Sequence, residues 1–279
     1  MAKLAGLYRP TTLPEALSLL AQDPDAKPIS GGATLVAMMN ARVLEPEALV
    51  SLAAIEDLRG ITEQSDGTIR IGAFTRHRET AADPRLEDSL FVVRDAAAQI
   101  ANAVVRNMGT IGGSIAFADP GLDYPPALVA ADAQVELASA QGTRRLPIKE
   151  FFVDWYLTAL EPGEIVSAVL LPKSQPAVSR YYKLARVSGD YAIASVAISR
   201  VASGAIRVAV GACGPTPIHS DEVDRLLSLD TASASIVRAA DLLVGLADPV
   251  DDVRASAAYR RTVVPRLLER AVREVEEPR

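Results

Sequence analysis

Two Gly-Gly pairs set among small hydroxyl residues, "SGGAT" at 30–34 and "TIGGS" at 110–114, constrain this chain more than any other feature. Glycine reaches φ > 0 at little steric cost and lets a ligand approach the main chain with no Cβ in the way. Successive unobstructed N–H groups form an anion-binding nest. The first pair precedes a helical pattern from Ala33 to Ala41, whose N-terminal amides and dipole favour a phosphate. The second is followed by Asp119 and Asp123, each within two residues of a proline. Neither pair has the P-loop or the Rossmann glycine spacing. A Gly-Gly pair is also an ordinary turn. The residues alone therefore go as far as a site able to hold a diphosphate.

Composition narrows the classes. A chain of 279 residues, 49% hydrophobic and 23% charged, has the make-up of a globular protein of one or two domains with a real core. Its net charge of −6, with no Lys/Arg cluster, argues against nucleic acid. A lone cysteine, Cys213, excludes an intrachain disulfide, a four-cysteine zinc site and a cysteine-ligated iron–sulfur cluster. The two histidines, His77 and His219, are far apart in sequence with no metal-ligand spacing around either, so no metal site is expected. The opening "MAKLAGLYRP" has no long apolar stretch, and no segment reaches about 18 uncharged apolar residues. A cytoplasmic, metal-free chain with no membrane span is the expectation, and any redox chemistry must then use a non-covalent organic cofactor.

Along the chain, "TTLPEALSLLAQDP" predicts a short helix with capping-box spacing between Thr12 and Glu15. "AKPISGGATLVAMMNARV" reads as strand, glycine turn and helix, and "ALVSLA" and "TIRIGAF" as strands. "LEDSLFVVRDAAAQIANAVV" reads as a helix on its apolar repeat. "PPALVAADAQVELAS" gives a helix and then a strand, and "GEIVSAVLLP" a strand stopped by Pro172. The polar "KSQPAV" at 173–178 is the best linker. Beyond it come two or three strands with a Ser203-Gly204 hairpin turn, then a helical tail. Strands followed by helices predict an α+β unit after a mixed α/β part.

Three stretches, "ISGGATLVAMMNARVLEPEALVSLAAIEDLRGI", "VRNMGTIGGSIAFADPGLDYPPALVAADAQVEL" and "KLARVSGDYAIASVAI", together resemble the FAD-binding medium subunit of the molybdenum hydroxylases, the group that includes the carbon monoxide dehydrogenase and xanthine dehydrogenase families. The resemblance covers essentially the whole chain. It implies an α+β fold: a PCMH-type FAD-binding domain at 1–173, made of two α/β subdomains split near 55–60, then a C-terminal α+β domain of antiparallel strands and helices at 174–279, of the CO dehydrogenase flavoprotein type. It also implies partners, a large molybdopterin subunit and a small subunit with two 2Fe–2S clusters, assembled as a dimer of heterotrimers. The chain's FAD would pass electrons from those clusters to a terminal acceptor. A stand-alone PCMH-type flavin oxidoreductase is the alternative, and it would need an acid or base near the cofactor motifs, where the sequence places no histidine.

Carried over by motif, the resemblance implies that Ile29, Ser30, Gly31, Gly32, Ala33, Thr34, Leu35 and Val36 wrap the FAD diphosphate, together with Thr110, Ile111, Gly112, Gly113 and Ser114. Asp123 would bind cofactor hydroxyls, Ala101 would touch the cofactor from the preceding helix, and Ile165 would cover the flavin. Lys183 would lie by the isoalloxazine, where a cation stabilises the reduced flavin, and Tyr191 near the ring face. By residue type alone Lys183 is equally a solvated charge, Asp119 and Asp123 are turn formers, and Tyr191 is core packing. Arg76 and Arg106 suit either a phosphate or a surface ion pair. Cys213 reads as a buried thiol. No catalytic residue is expected in this chain.

Overall fold

The structure, a computed structural model, describes residues 6–276. Strand and helix alternate first: β1 (Gly6–Tyr8), α1 (Leu13–Gln22), β2 (Lys27–Ile29), α2 (Leu35–Asn40) and β3 (Ala48–Ser51). The three strands are parallel in the order β1-β3-β2. Central β3 is buried at Ala48, Leu49 and Val50, as befits a strand covered on both faces. The Thr12 side chain accepts the Glu15 amide at 3.4 Å, and α1 turns Ala16, Leu17 and Leu20 inward. The second helix is shorter than its apolar pattern predicts. It starts at Leu35 rather than Ala33, because Gly32 stands at φ +76° and holds the preceding turn out of helix.

A second group follows: β4 (Ile61–Glu63), β5 (Ile69–Gly72), α3 (His77–Thr80), α4 (Phe91–Gln99), α5 (Ala103–Met108), α6 (Ile111–Phe117), α7 (Tyr124–Ala130), β6 (Gln134–Ser139), β7 (Gly142–Pro147), α8 (Ile148–Phe151), β8 (Phe152–Asp154), β9 (Leu157–Thr158) and β10 (Ile165–Leu171). Its antiparallel sheet runs β4-β5-β10-β6-β7, and β10 is buried along its whole length. α4, α6 and α7 share one core with that sheet.

The single helix expected over 86–105 is broken. α4 ends at Gln99, Ala101 takes φ +43°, and α5 restarts at Ala103. Two side chains stabilise the break. The Asn102 side chain accepts the Val104 and Val105 amides at 3.0 and 3.1 Å, and the Arg106 guanidinium donates to the Ile100 and Ala101 carbonyls at 2.8 and 3.0 Å. Ala101 thus lies in the kink between two helices and not on a helix face.

The last group is β11 (Ala177–Leu184), β12 (Ala194–Val201), β13 (Ile206–Gly211), α9 (Asp221–Leu229), α10 (Ser233–Leu246) and α11 (Ala257–Glu276). The antiparallel meander β11-β12-β13 turns at Gly204, φ +92°. Both of its faces are covered, since successive side chains of a strand point to opposite sides. Tyr181, Ala197 and Ala209 enter the core of the preceding group, while Tyr182, Val196, Ile198, Val208 and Val210 enter a second core with α9–α11. Buried Arg260 on α11 donates to the Ile193 and Ala212 carbonyls at 2.6 and 3.0 Å and pairs with Asp252 at 2.6 Å, tying the helices to the strand ends. Among the described residues no helix is long and apolar enough to cross a membrane.

Candidate functional site

All three groups meet around a cavity of about 400 Å³. The β2–α2 loop, the α4–α5 kink, the start of α6, the 121–123 turn, the start of β10 and the end of β11 all reach it. Every site residue expected from the sequence lines it except Val36 and Ile111. Val36 is 42% exposed, and Ile111 is fully buried in the core.

The two glycine pairs do different work. Sequence suggests two equivalent backbone nests, but "TIGGS" is the first turn of a helix. Thr110 caps α6 by accepting the Gly113 amide at 3.2 Å. The remaining first-turn amides are also taken: Ile111 donates to the Thr75 carbonyl (3.0 Å), Gly112 to Ala73 (2.9 Å) and Ser114 to Thr110 (2.9 Å). Gly112 is bare because its neighbour leaves no room, for an added Cβ would stand 2.5 Å from the Ala73 Cβ and 2.8 Å from its carbonyl oxygen. Gly113 differs. A Cβ there meets only the Thr110 hydroxyl at 3.0 Å and Ser30 Cβ at 3.7 Å, on the cavity wall.

The first pair keeps the nest. Among the described residues no protein acceptor takes the amides of Gly31, Gly32, Ala33 and Thr34. A Cβ on Gly31 would collide with the Met108 carbonyl, so the loop lies directly against the end of α5. Ser30 and Thr110 share a hydroxyl hydrogen bond of 2.8 Å that joins the two loops. Free amides ringed by small hydroxyls fit an anion such as a diphosphate.

The same cavity is lined by Asp123 and Lys183. The ammonium lies 3.0 Å from the carboxylate and donates to the Gln99 carbonyl at 3.2 Å; the Tyr181 hydroxyl donates to Asp123 at 2.7 Å. Both charged side chains are almost sealed, 5% and 7% exposed. Burial pushes the Asp123 carboxyl above its ordinary range, against the pull of Lys183 and Tyr181. The motifs place these two residues separately near a cofactor; their direct contact across 60 positions was not readable from either motif. Ile165 is buried beside them at the start of β10. Tyr191 lines the cavity with Arg254 over its ring at 4.8 Å, and burial pushes its hydroxyl up to about 12. A Cβ on Gly121 would stand 3.0 Å from the Tyr191 ring, so the 121–123 turn packs closely against it.

Several features escaped the sequence. His77, remote from every cofactor motif, lines the cavity beside Gly109, so a histidine does stand at the site. Burial pushes its imidazole down to about 4, with the nearby Arg106 adding to the effect. Arg106 itself is bonded to the kink carbonyls rather than to a surface carboxylate. His219, given no metal-ligand spacing above, comes together with Asp221 and Asp224. That group is occupied by other contacts: Asp224 bonds His219 at 2.9 Å, accepts the Val208 amide and faces Arg207. Cys213 is a buried thiol pushed up to about 12 by burial.

Free loop amides beside small hydroxyls, and a buried cation and carboxylate in the same largely apolar cavity, suit a protein that binds a flavin dinucleotide. Residues 3–174 match the family described as the FAD binding domain in molybdopterin dehydrogenase, and residues 179–275 the CO dehydrogenase flavoprotein C-terminal domain. The chain is 34% identical to the carbon monoxide dehydrogenase medium chain of Hydrogenophaga pseudoflava, over 95% of this chain and 94% of that one. It is 37% identical to the 6-hydroxypseudooxynicotine dehydrogenase complex subunit alpha of Paenarthrobacter nicotinovorans, covering 92% and 89%. A solved structure of the Hydrogenophaga pseudoflava carbon monoxide dehydrogenase, in a form lacking the Mo-pyranopterin moiety, superposes with a TM-score of 0.93 at 32% identity, over 99% of this chain and 98% of that one. The chain belongs to the FAD-binding medium subunits of the molybdenum hydroxylase family.

Proposed function

We propose that this chain is the electron-transfer flavoprotein of a molybdenum hydroxylase complex. Electrons released from the substrate in a large molybdopterin subunit pass through the two 2Fe–2S clusters of a small subunit to the FAD held here, and from it to a terminal acceptor. The assembly is a dimer of such heterotrimers. The observation that carries the reading is the cavity itself: free loop amides and a buried Asp123–Lys183 pair line one pocket, in a chain with a single cysteine. The names of the relatives, a medium chain and a complex subunit, support it. The domain reading, 1–173 and 174–279, is supported by the interval between the two matched families.

Bound FAD supplies the ability to take up electrons singly and release them in pairs. The protein's part is to hold and tune it. The Gly31–Thr34 amides and the Ser30, Thr110 and Ser114 hydroxyls bind the diphosphate, and the Ile29, Leu35 and Ala33 side chains wall the cradle. Lys183, held by the Gln99 carbonyl and both oxygens of Asp123, would present its charge to the flavin ring. Its charge there stabilises the reduced flavin. Ile165, Ala101 and Tyr191 keep water from the ring. Mixed with its two partners, the FAD-loaded chain restores substrate-dependent dye reduction that no subunit shows alone. Substrate oxidation at the full rate by the isolated, FAD-loaded chain would overturn this and establish a stand-alone flavin oxidoreductase.

A further inference from the structure

The His77 imidazole is 4% exposed, and it is anchored on one edge only. Its backbone amide donates to the Gly109 carbonyl at 3.1 Å, and a bridge between Arg76 and Thr110 holds the two segments side by side. Its Nδ1 lies 3.3 Å from the hydroxyl of Tyr124, a fully buried residue of α7. Its Nε2 has no protein partner among the described residues and lies at the cavity wall, where a Cβ on Gly109 would collide with it. Gly109 in turn borders the amide cradle, since a Cβ on Gly31 would stand 3.0 Å from the Gly109 Cα.

Proton bookkeeping sets the tautomer. A buried phenol must donate its proton or bear the cost of an unmade hydrogen bond. The Thr80 hydroxyl, the phenol's other polar neighbour, acts on it as a hydrogen-bond donor, opposing the rise that burial gives its pKa, so Nδ1, 3.3 Å away, is left to accept the Tyr124 proton. Burial keeps the ring neutral at pH 7, so it carries one proton only. With Nδ1 accepting, that proton resides on Nε2.

We propose that Tyr124 locks His77 as an Nε2–H donor, and that this N–H hydrogen-bonds the diphosphate of FAD alongside the Gly31–Thr34 amides. A neutral donor suits this place. It binds the anion without a buried charge that would need compensation once the site is empty. The inference rests on FAD being the ligand of the cavity, and the test separates the two.

The full chain carries only two histidines. With His219→Gln removing the second signal, two-bond ¹⁵N–¹H correlation of ¹⁵N-histidine protein at pH 7 reads the His77 tautomer directly. Nε2–H is expected before FAD is added, and a shift at Nε2 larger than at Nδ1 on adding it. Tyr124→Phe is expected to release the tautomer to a mixture. FAD affinity, read by flavin fluorescence, is expected to fall about 10- to 100-fold in His77→Phe, the loss of one hydrogen bond to a charged group. His77→Gln, whose amide reaches the Nε2 position, should stay within about threefold of wild type. An Nδ1–H tautomer in the wild type, or unchanged FAD affinity in a His77→Phe chain whose circular dichroism is native, overturns the proposal. A wild-type chain that takes up no FAD overturns the cofactor reading itself.

Discussion

Gly112 and Gly113 are adjacent in one helix turn, yet their substitution by alanine should have opposite consequences. At Gly112 a Cβ stands 2.5 Å from Ala73 Cβ and 2.8 Å from a backbone oxygen, neither of which can swing aside. Relieving that overlap moves α6 away from the end of β5 and costs about 3 kcal/mol, the upper end of core overpacking. About 1 kcal/mol is recovered because alanine favours helix over glycine, leaving a net loss of about 2 kcal/mol. For a chain of this size each kcal/mol moves Tm by about 2–4 °C, so the apo-chain should melt about 4–8 °C lower. At Gly113 the same propensity gain meets only the Thr110 hydroxyl at 3.0 Å. The apo Tm should stay within about 2 °C of wild type. FAD at 100 times its Kd stabilises wild type by about 2.7 kcal/mol. A methyl group on the cavity wall that weakens FAD tenfold removes about 1.4 kcal/mol of this, half of the ligand-induced rise in Tm. Differential scanning fluorimetry with and without FAD measures all four numbers. A Gly113→Ala chain that melts as low as Gly112→Ala when empty, or that gains the full wild-type shift with FAD, would refute the division of labour between the two glycines.

Lys183→Met should destabilise the chain by about 3–5 kcal/mol in urea unfolding, because it strands the buried Asp123 carboxylate; adding Asp123→Asn should recover most of the loss, and no recovery would show that the pair is not coupled. Asp123→Asn alone leaves the Lys183 charge without its counter-ion and should raise the midpoint potential of bound FAD, by about 30 mV for each 1.4 kcal/mol; a spectroelectrochemical midpoint that falls would contradict the placement of the cation. For His77 the folded pKa lies below the unfolded one, about 4 against 6.5. Its neutral ring therefore contributes fully above pH 6.5, and the contribution is lost as pH falls toward 4, a change of about 3 kcal/mol in the apo-chain. His77→Gln should flatten that part of the stability–pH curve, and a variant curve as steep as the wild type would place the acid sensitivity elsewhere.

Legibility followed locality. The cap at Thr12, the stop at Pro172 and the hairpin at Ser203-Gly204 all act within a few residues, and each element formed near where its pattern indicated. The break at Ile100–Asn102 did not announce itself. Its flanks are strong helix formers, and the residues that stabilise it, Asn102 and Arg106, look ordinary in sequence. Three-residue strands such as β1 and β4 are too short to carry a period. The residues around the cavity were foreseeable as types, bare glycines, hydroxyls, an aspartate, a lysine, but not their bonding. That α6 spends its own first-turn amides, that Asp123 meets Lys183, and that Tyr124 meets His77 across 47 positions are all products of tertiary packing.

The meander β11-β12-β13 has one core on each face. Along β11, Tyr181 and Lys183 point to Asp123, while Tyr182 and Leu184 point to the helices. Sliding this strand by one residue would exchange the two sets and put a leucine where the ammonium stands. The fit of α9–α11 against the far face, a surface with no view of the cavity, opposes that slip, as do the bonds of Ser179 and Tyr181 to α4 on the near face. The C-terminal helices therefore act as a jig: they index the strand so that one charge arrives at one spot, and damage to their packing would surface first as a mis-tuned flavin rather than as a lost fold.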